Sequence, residues 1–215
     1  MPIDSKSPTT RDRLLKVAEM LFAQKGYHAV SVREITNAAH CNLAAVNYHF
    51  GNKKALYLHM FRECWISRAQ RILACFEENL AGCGDTSPEA VIKSLAEALI
   101  KGPLTDEERL CHFQLMIREM TKPTEAFQIV LEETMKPSFE GLSFLLQPYL
   151  HESMDKERTL LNVLNIFSVI HFFNYARIPV TEIIGHAYDE PFKDRLVQHI
   201  VQFSLSGMPL KEGTR

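Results

Sequence analysis

The sequence predicts an all-α chain with a helix-turn-helix near its N-terminus, on three observations. Apolar residues recur at helical spacing in segment after segment. Capping residues, glycines and prolines punctuate those segments. Residues 31–54, SVREITNAAHCNLAAVNYHFGNKK, read as a capped helix, a tight turn, a short second helix and the basic start of a third. With 215 residues, 46% of them hydrophobic, the chain can bury one large core or two small ones.

The start, MPIDSKSPTT, is polar and reads as a frayed tail that adds a backbone contact. Thr9 opens the first helix with Asp12 three residues on, and Leu14, Val17, Ala18, Leu21 and Phe22 form its apolar face. Lys25 and Gly26 close it. Ser31 and Glu34 form a capping box for the second helix, with Val30 and Ile35 as its hydrophobic staple. Ala38 and Ala39 keep one face slim, and His40 and Cys41 interrupt the pattern. Asn42 caps a two-turn helix from Leu43 to His49, which Gly51 and Asn52 end. Asn52 in turn caps a helix expected over 53–79, about 40 Å long at 1.5 Å per residue. Its apolar positions are Leu56, Met60, Phe61, Trp65, Ile72, Leu73 and Phe76, and a loop over 81–87 follows.

The next helix starts at Ser87–Pro88 and ends at Lys101–Gly102–Pro103; another covers about 106–121. Pro123–Thr124 start a segment running to about Tyr149. Pro137 must kink or split it, because proline lacks an amide donor and crowds the carbonyl one turn back. The helix expected over 155–178 stops at Pro179. It is apolar on every side: Leu161, Leu164, Phe167 and Ile170 on some, Val163, Ile166, Val169 and Phe173 on others. That is the pattern of a helix buried all round, with one side available to a partner subunit. A last helix over 190–206 carries Phe192, Leu196, Val197, Ile200, Val201 and Phe203.

In a helix-turn-helix the second helix enters the major groove and the first crosses the backbone. The same spacing also fits an ordinary αα-corner with no nucleic acid. Two details favour DNA. Lys53 and Lys54 sit in the first turn after Asn52, where the helix dipole disfavours cations; a bound phosphate reverses that sign. Tyr48 and His49 place donors at the end of the short helix, where a strand would pass. Charge is divided in the same sense. Net charge is −2, but residues 1–55 carry eight Lys/Arg against four Asp/Glu, a net of +4, and the rest carries sixteen against twenty-two, a net of −6. A basic module on an acidic body suits a DNA-binding head on a body with another task.

Five cysteines (41, 64, 75, 83 and 111), without a CxxC spacing or a secretory leader, predict a reduced, cytoplasmic protein. No apolar run is long enough for a membrane span. His112 beside Cys111 invites a search for an enzyme, but HExxH, GxSxG and phosphate-loop patterns are missing. No enzyme, cofactor or metal is therefore expected. Cys41 in the turn either packs as a staple or acts as a redox switch.

AEMLFAQKGYHAVSVREITNAAHCNLAAVNYHFGNKKALY resembles the DNA-binding domain of the tetracycline-repressor (TetR) family. The pattern falls on Ala18 to Gly26, on Ser31, on the Ala39-His40-Cys41 turn, and on Tyr48-His49-Phe50 through Lys53 and Leu56. REMTKPTEAF (Arg118 to Phe127) and SVIHFFNYAR (Ser168 to Arg177) resemble the branch with a CerR-like C-terminal domain. The resemblance implies an all-α homodimer of about nine helices per chain. Residues 1–52 would be the helix-turn-helix DNA-binding domain. Residues 53–215 would hold a small-molecule effector and dimerise through the last two long helices. Most relatives repress transcription and release a palindromic double-stranded DNA operator when the effector binds. Mapped by position, Leu43, Ala44, Ala45 and Asn47 would face base edges, and Ser31, Arg33, Tyr48, His49 and Lys53 would hold phosphates. Asn42 and Lys54 complete the expected DNA-binding set.

Two departures stand out. His40 replaces the usual turn glycine; if φ is positive there, histidine tolerates it better than most residues, at some cost, and Lys54 replaces a usual acidic residue. The reading helix is poor in Arg and Gln, so specificity would rest on thymine methyls, Asn47 and DNA shape. Effector-binding residues are expected among Trp65, Phe113, Met116, Ile117, Met120, His171, Asn174 and Tyr175, although each also fits plain core. His171, Asn174 and Tyr175 are the sharper choices, because polar groups on so apolar a helix need partners. The expected effector is mostly apolar or aromatic.

Overall fold

The computed structural model describes residues 9–213. The expected contact of the N-terminal tail therefore lies, up to residue 8, outside the described residues. The chain divides into two compact units. One holds residues up to 67 together with 114–130, and the other holds 68–113 and 131 onward. Counting continuous rods once, there are ten helices and no strands among the described residues.

In the first unit, α1 (Thr10–Lys25) begins with a complete capping box. The Asp12 amide donates to Thr9 Oγ1 (3.2 Å) and the Thr9 amide to Asp12 Oδ2 (3.1 Å). Gly26 ends it at φ 83°, a left-handed value that glycine adopts without strain. α2 (Val32–Ala38) receives only half of its expected box. Ser31 Oγ accepts from the Glu34 amide (3.1 Å), but the Glu34 carboxylate turns to Lys25 Nζ (2.5 Å). An ammonium outcompetes an exposed amide for that carboxylate.

The turn after α2 is a Schellman motif. The Cys41 amide donates to the Thr36 carbonyl (3.0 Å) and the His40 amide to the Asn37 carbonyl (3.2 Å). His40 stands at φ 51° in the position that usually belongs to glycine. Asn42 Oδ1 accepts from the Ala44 amide two residues on (2.6 Å), so α3 spans Ala44–Phe50 and Leu43 lies just before it. Asn52 caps α4 (Lys53–Met60) through the Ala55 amide (2.8 Å). A single π turn (Phe61–Trp65) joins α4 to α5 (Ile66–Cys83), which is helical four residues past the expected end. Leu14, Phe22, Ile35, Val46, Leu56, Met60 and Phe61 form the core of this unit. The second half of α7 (Asp106–Thr121) and α8 (Glu125–Val130) complete it.

In the second unit, α6 (Pro88–Ile100) is the central helix, buried along most of its length against α9 (Lys136–Leu146), α10 (Lys156–Tyr175) and α12 (Glu190–Gly207). Pro137 acts through the turn before it. A π turn (Leu131–Met135) shifts the hydrogen-bond ladder, and the helix restarts with Pro137 in its first turn, where no amide donor is needed. Pro179 acts in the same way, and here the expectation is corrected. The long helix ends at Tyr175, the residue whose carbonyl the proline ring would crowd, and not at Ile178. Pro179 then lies in the first turn of a further helix, α11 (Arg177–Ile184), bent by 77° from α10. An antiparallel bridge between Leu150 and Leu210 ties down the segment after α12.

Candidate nucleic-acid interface

Helix α3 is anchored by Val46 and Phe50, which point into the core one turn apart. That fixes its opposite face. Leu43 (55% exposed), Ala44, Asn47 and Tyr48 (86% exposed) stand open together, while Ala45 and His49 are half-buried. A tyrosine this exposed buries nothing of its own, and its ring only meets the edge of His49 at 4.9 Å. The face offers methyls, one amide and one phenol and carries no formal charge. Such a set can read thymine methyls and adenine edges in a major groove.

Around that face lie the expected backbone contacts. Ser31 and Arg33 are exposed at the start of α2, although the Ser31 hydroxyl also serves as the cap. Asn42 is exposed and committed to the Ala44 amide. Lys53 and Lys54 differ. Lys54 reaches Glu125 on α8 (2.5 Å). Lys53 is half-buried, its ammonium 4.4 Å above the Tyr27 ring, and burial pushes its pKa below the ordinary lysine value.

The surroundings of Lys53 contain residues that the sequence did not single out. Tyr27 packs on Tyr57 (4.8 Å between ring centres), and Tyr57 meets Phe22 edge-on at the same distance. The Tyr57 hydroxyl donates to Glu119 Oε1 (2.6 Å). Burial and that carboxylate push the Tyr57 pKa far up, so the phenol stays a donor. Glu119 is itself 1% exposed and also accepts from the Thr124 amide and hydroxyl (both 2.9 Å to Oε2). Arg118 donates to the Ala23 carbonyl (2.8 Å) and the Gln24 carbonyl (2.6 Å) at the end of α1. The available signal was the REMTKPTEAF segment, which holds Arg118, Glu119, Thr124 and Glu125.

The expected effector residues divide between the units. Trp65, Met116, Ile117 and Met120 belong to the first, where Trp65 and Met116 are buried and Met120 is 59% exposed. Phe113, His171, Asn174 and Tyr175 belong to the second. There Phe113 meets His171 edge-on at 5.1 Å, and His171 Nδ1 bonds the Phe167 carbonyl (2.7 Å). Burial pushes the pKa of His171 down, and that of His112 further down, which favours neutral rings. Asn174 is buried. Its amide nitrogen donates to the Ile170 carbonyl (3.1 Å), but its Oδ1 meets no donor. Tyr175 is on the open side of α10. An open groove on α10, lined by Lys156, Glu157, Leu160, Leu161 and Leu164, contains none of these residues.

Residues 14–60 match the family described as bacterial regulatory proteins, tetR family. Residues 88–208 match the C-terminal domain of the HTH-type transcriptional dual regulator CecR. The chain belongs to the TetR family. The second match places it in the branch that carries a CecR C-terminal domain. CecR from Shigella flexneri is 25% identical over 209 residues, covering 91% of this chain and 89% of that protein. The probable HTH-type transcriptional regulator YttP from Bacillus subtilis is 42% identical over 55 residues, 26% of this chain and 27% of YttP. Among solved structures, a transcriptional regulator from Rhodococcus sp. Rha1 shares the fold at a TM-score of 0.65, with 19% identity over 94% of this chain and 100% of that one. PfmR from Thermus thermophilus does so at 0.63, with 22% identity over 91% and 97%. TetR-family proteins are DNA-binding transcription regulators with a helix-turn-helix, and they are not enzymes.

Proposed function

We propose that this TetR-family chain is a homodimeric repressor that holds a palindromic operator and releases it when a small molecule binds its second unit. The single observation that carries the reading is the open, uncharged face of α3 beside the cation of Lys53. On this reading Leu43, Ala44, Ala45 and Asn47 meet base edges. Ser31, Arg33, Asn42, Tyr48, His49, Lys53 and Lys54 hold the strand. Phosphate contacts position the protein and base contacts specify the site.

Dimerisation is supported by an apolar stripe that one chain leaves open. Leu161, Leu164, Phe172 and Tyr175 recur at helical spacing along α10, and Phe203 is open on α12. A two-fold pair sets two α3 helices against two half-sites about 34–36 Å apart, or a multiple of that. Effector binding is supported by Asn174, whose buried carbonyl oxygen lacks a donor one turn along α10 from His171, the ring that meets Phe113 of α7. A mostly apolar or aromatic compound with one hydrogen-bond donor suits that setting, with Tyr175 of the same unit as a further contact. The reading involves no catalysis, metal or cofactor, and it places the protein in the cytoplasm. Among the described residues no single helix is long and apolar enough to cross a membrane.

Footprinting the DNA beside the protein's own coding region tests the proposal. The expected result is one protected site with two-fold symmetric halves. Uniform protection, or none, overturns it.

A further inference from the structure

The seat of Lys53 has two walls, and consecutive residues of α7 fix both. Tyr27 lies under the ammonium at 4.4 Å. Tyr57, one turn on from Lys53 along α4, packs against Tyr27 at 4.8 Å. Tyr57 cannot swing away without leaving Glu119 short of a donor, and a buried carboxylate that loses a donor is strongly disfavoured. Tyr27 follows Gly26 directly. The backbone just before it is held by Arg118, which takes the last carbonyls of α1 at Ala23 and Gln24. Arg118 also crowds Gly26: a Cβ there would lie 3.0 Å from its Nη1.

We infer that Arg118 and Glu119 are positioning residues for DNA binding, which hold Tyr27 and Tyr57 so that the Lys53 ammonium stands where a phosphate passes. The inference rests on the proposed phosphate contact of Lys53. It assigns the REMTKPTEAF segment a task in the DNA-binding unit, although it follows the first half of α7, which belongs to the second unit.

The test needs no known operator. Binding of the full chain to a random-sequence duplex is followed by fluorescence anisotropy across a salt series. The slope of log affinity against log salt counts neutralised phosphates, about 0.9 for each on duplex DNA. Lys53→Ala lowers the slope by about 0.9 per bound subunit. Glu119→Gln and Tyr57→Phe each lower it in the same direction. In a Lys53→Ala background neither lowers it further, because the contact they position is already gone. Tyr57→Phe removes only a hydroxyl, so it keeps the test open if Glu119→Gln folds poorly. If Lys53→Ala lowers the slope but Tyr57→Phe does not, the inference is wrong and the phosphate contact stands. If Glu119→Gln acts equally with and without Lys53, its effect is long-range charge and the inference is again wrong. If Lys53→Ala itself leaves the slope unchanged, the phosphate contact fails and the inference fails with it.

Discussion

Replacing Phe203 on α12 with glutamate should dissociate the proposed homodimer. Five large apolar side chains on α10 and α12 (Leu161, Leu164, Phe172, Tyr175 and Phe203) are between 39 and 60% exposed in the single chain. Fully burying such a side chain contributes about 1.5–3 kcal/mol, so covering the open halves of five contributes roughly 5 kcal/mol per subunit and roughly 10 kcal/mol per symmetric pair. Association itself costs about 4–15 kcal/mol, so the interface tolerates little loss. Phe203→Glu removes the gain twice in a two-fold pair and adds two carboxylates that must be desolvated. The expected penalty is at least about 3 kcal/mol, more than about 100-fold in the dimer Kd. Sedimentation velocity over a protein concentration series measures it. Wild type should sediment as a dimer, and Phe203→Glu as a monomer with unchanged helical content. The reasoning fails if wild type is monomeric at tens of micromolar or if Phe203→Glu sediments with it.

Three other outcomes follow from particular contacts. Glu125→Gln breaks the Lys54 ion pair, in which both side chains are more than half exposed, so thermal stability should hardly change and DNA affinity should rise as Lys54 is freed; lower affinity would count against Lys54 at the strand. His40→Gly removes a side chain at φ 51°. Left-handed backbone costs an L-residue about 1–2 kcal/mol and the added chain entropy of glycine about 0.5–1, so the melting temperature should hold or rise slightly, and a clear fall would show that the histidine makes a contact of its own. His112 and His171 have folded-state pKa values below the ordinary 6.5, so the unfolded chain binds more protons as pH falls. Their contribution to stability is complete above about pH 6.5 and is lost progressively below it. Chemical denaturation between about pH 7 and pH 5 should show this fall, and His171→Asn should flatten it.

Features set by neighbours a few residues apart were legible from the sequence. Thr9, Asn52 and Ser87 cap helices where expected, because each cap is a bond to an amide three residues on. His40 meets the condition left open for the turn, with φ at 51°. The outward set on α3 came from the family resemblance and not from local spacing, and one of its members, Ala45, is half-buried beside the anchors Val46 and Phe50. Wherever a distant partner decides the outcome, the sequence was silent. Glu34 abandons its cap for Lys25, and Arg118 reaches a carbonyl 95 residues back. Pro179 carries a signal that is ambiguous in one dimension. A proline ends one helix four residues upstream and is welcome in the first turn of the next, so a stop was visible while α11 was not. The π turns at 61–65 and 131–135 depend on a shift of the hydrogen-bond ladder that side-chain periodicity does not record. Tyr57 and Glu119 were opaque for the same reason as Arg118, because their hydrogen bond spans 62 residues.

The central claim is that α3 reads bases while Lys53 holds the strand. It is tested most directly by comparing Asn47→Ala and Lys53→Ala on the footprinted site and on random duplex, at about 50 mM salt and above. Lys53→Ala should weaken both duplexes alike, and Asn47→Ala should weaken the specific site while sparing the random one. Unchanged binding by both variants, or equal losses on both duplexes for Asn47→Ala, would contradict it.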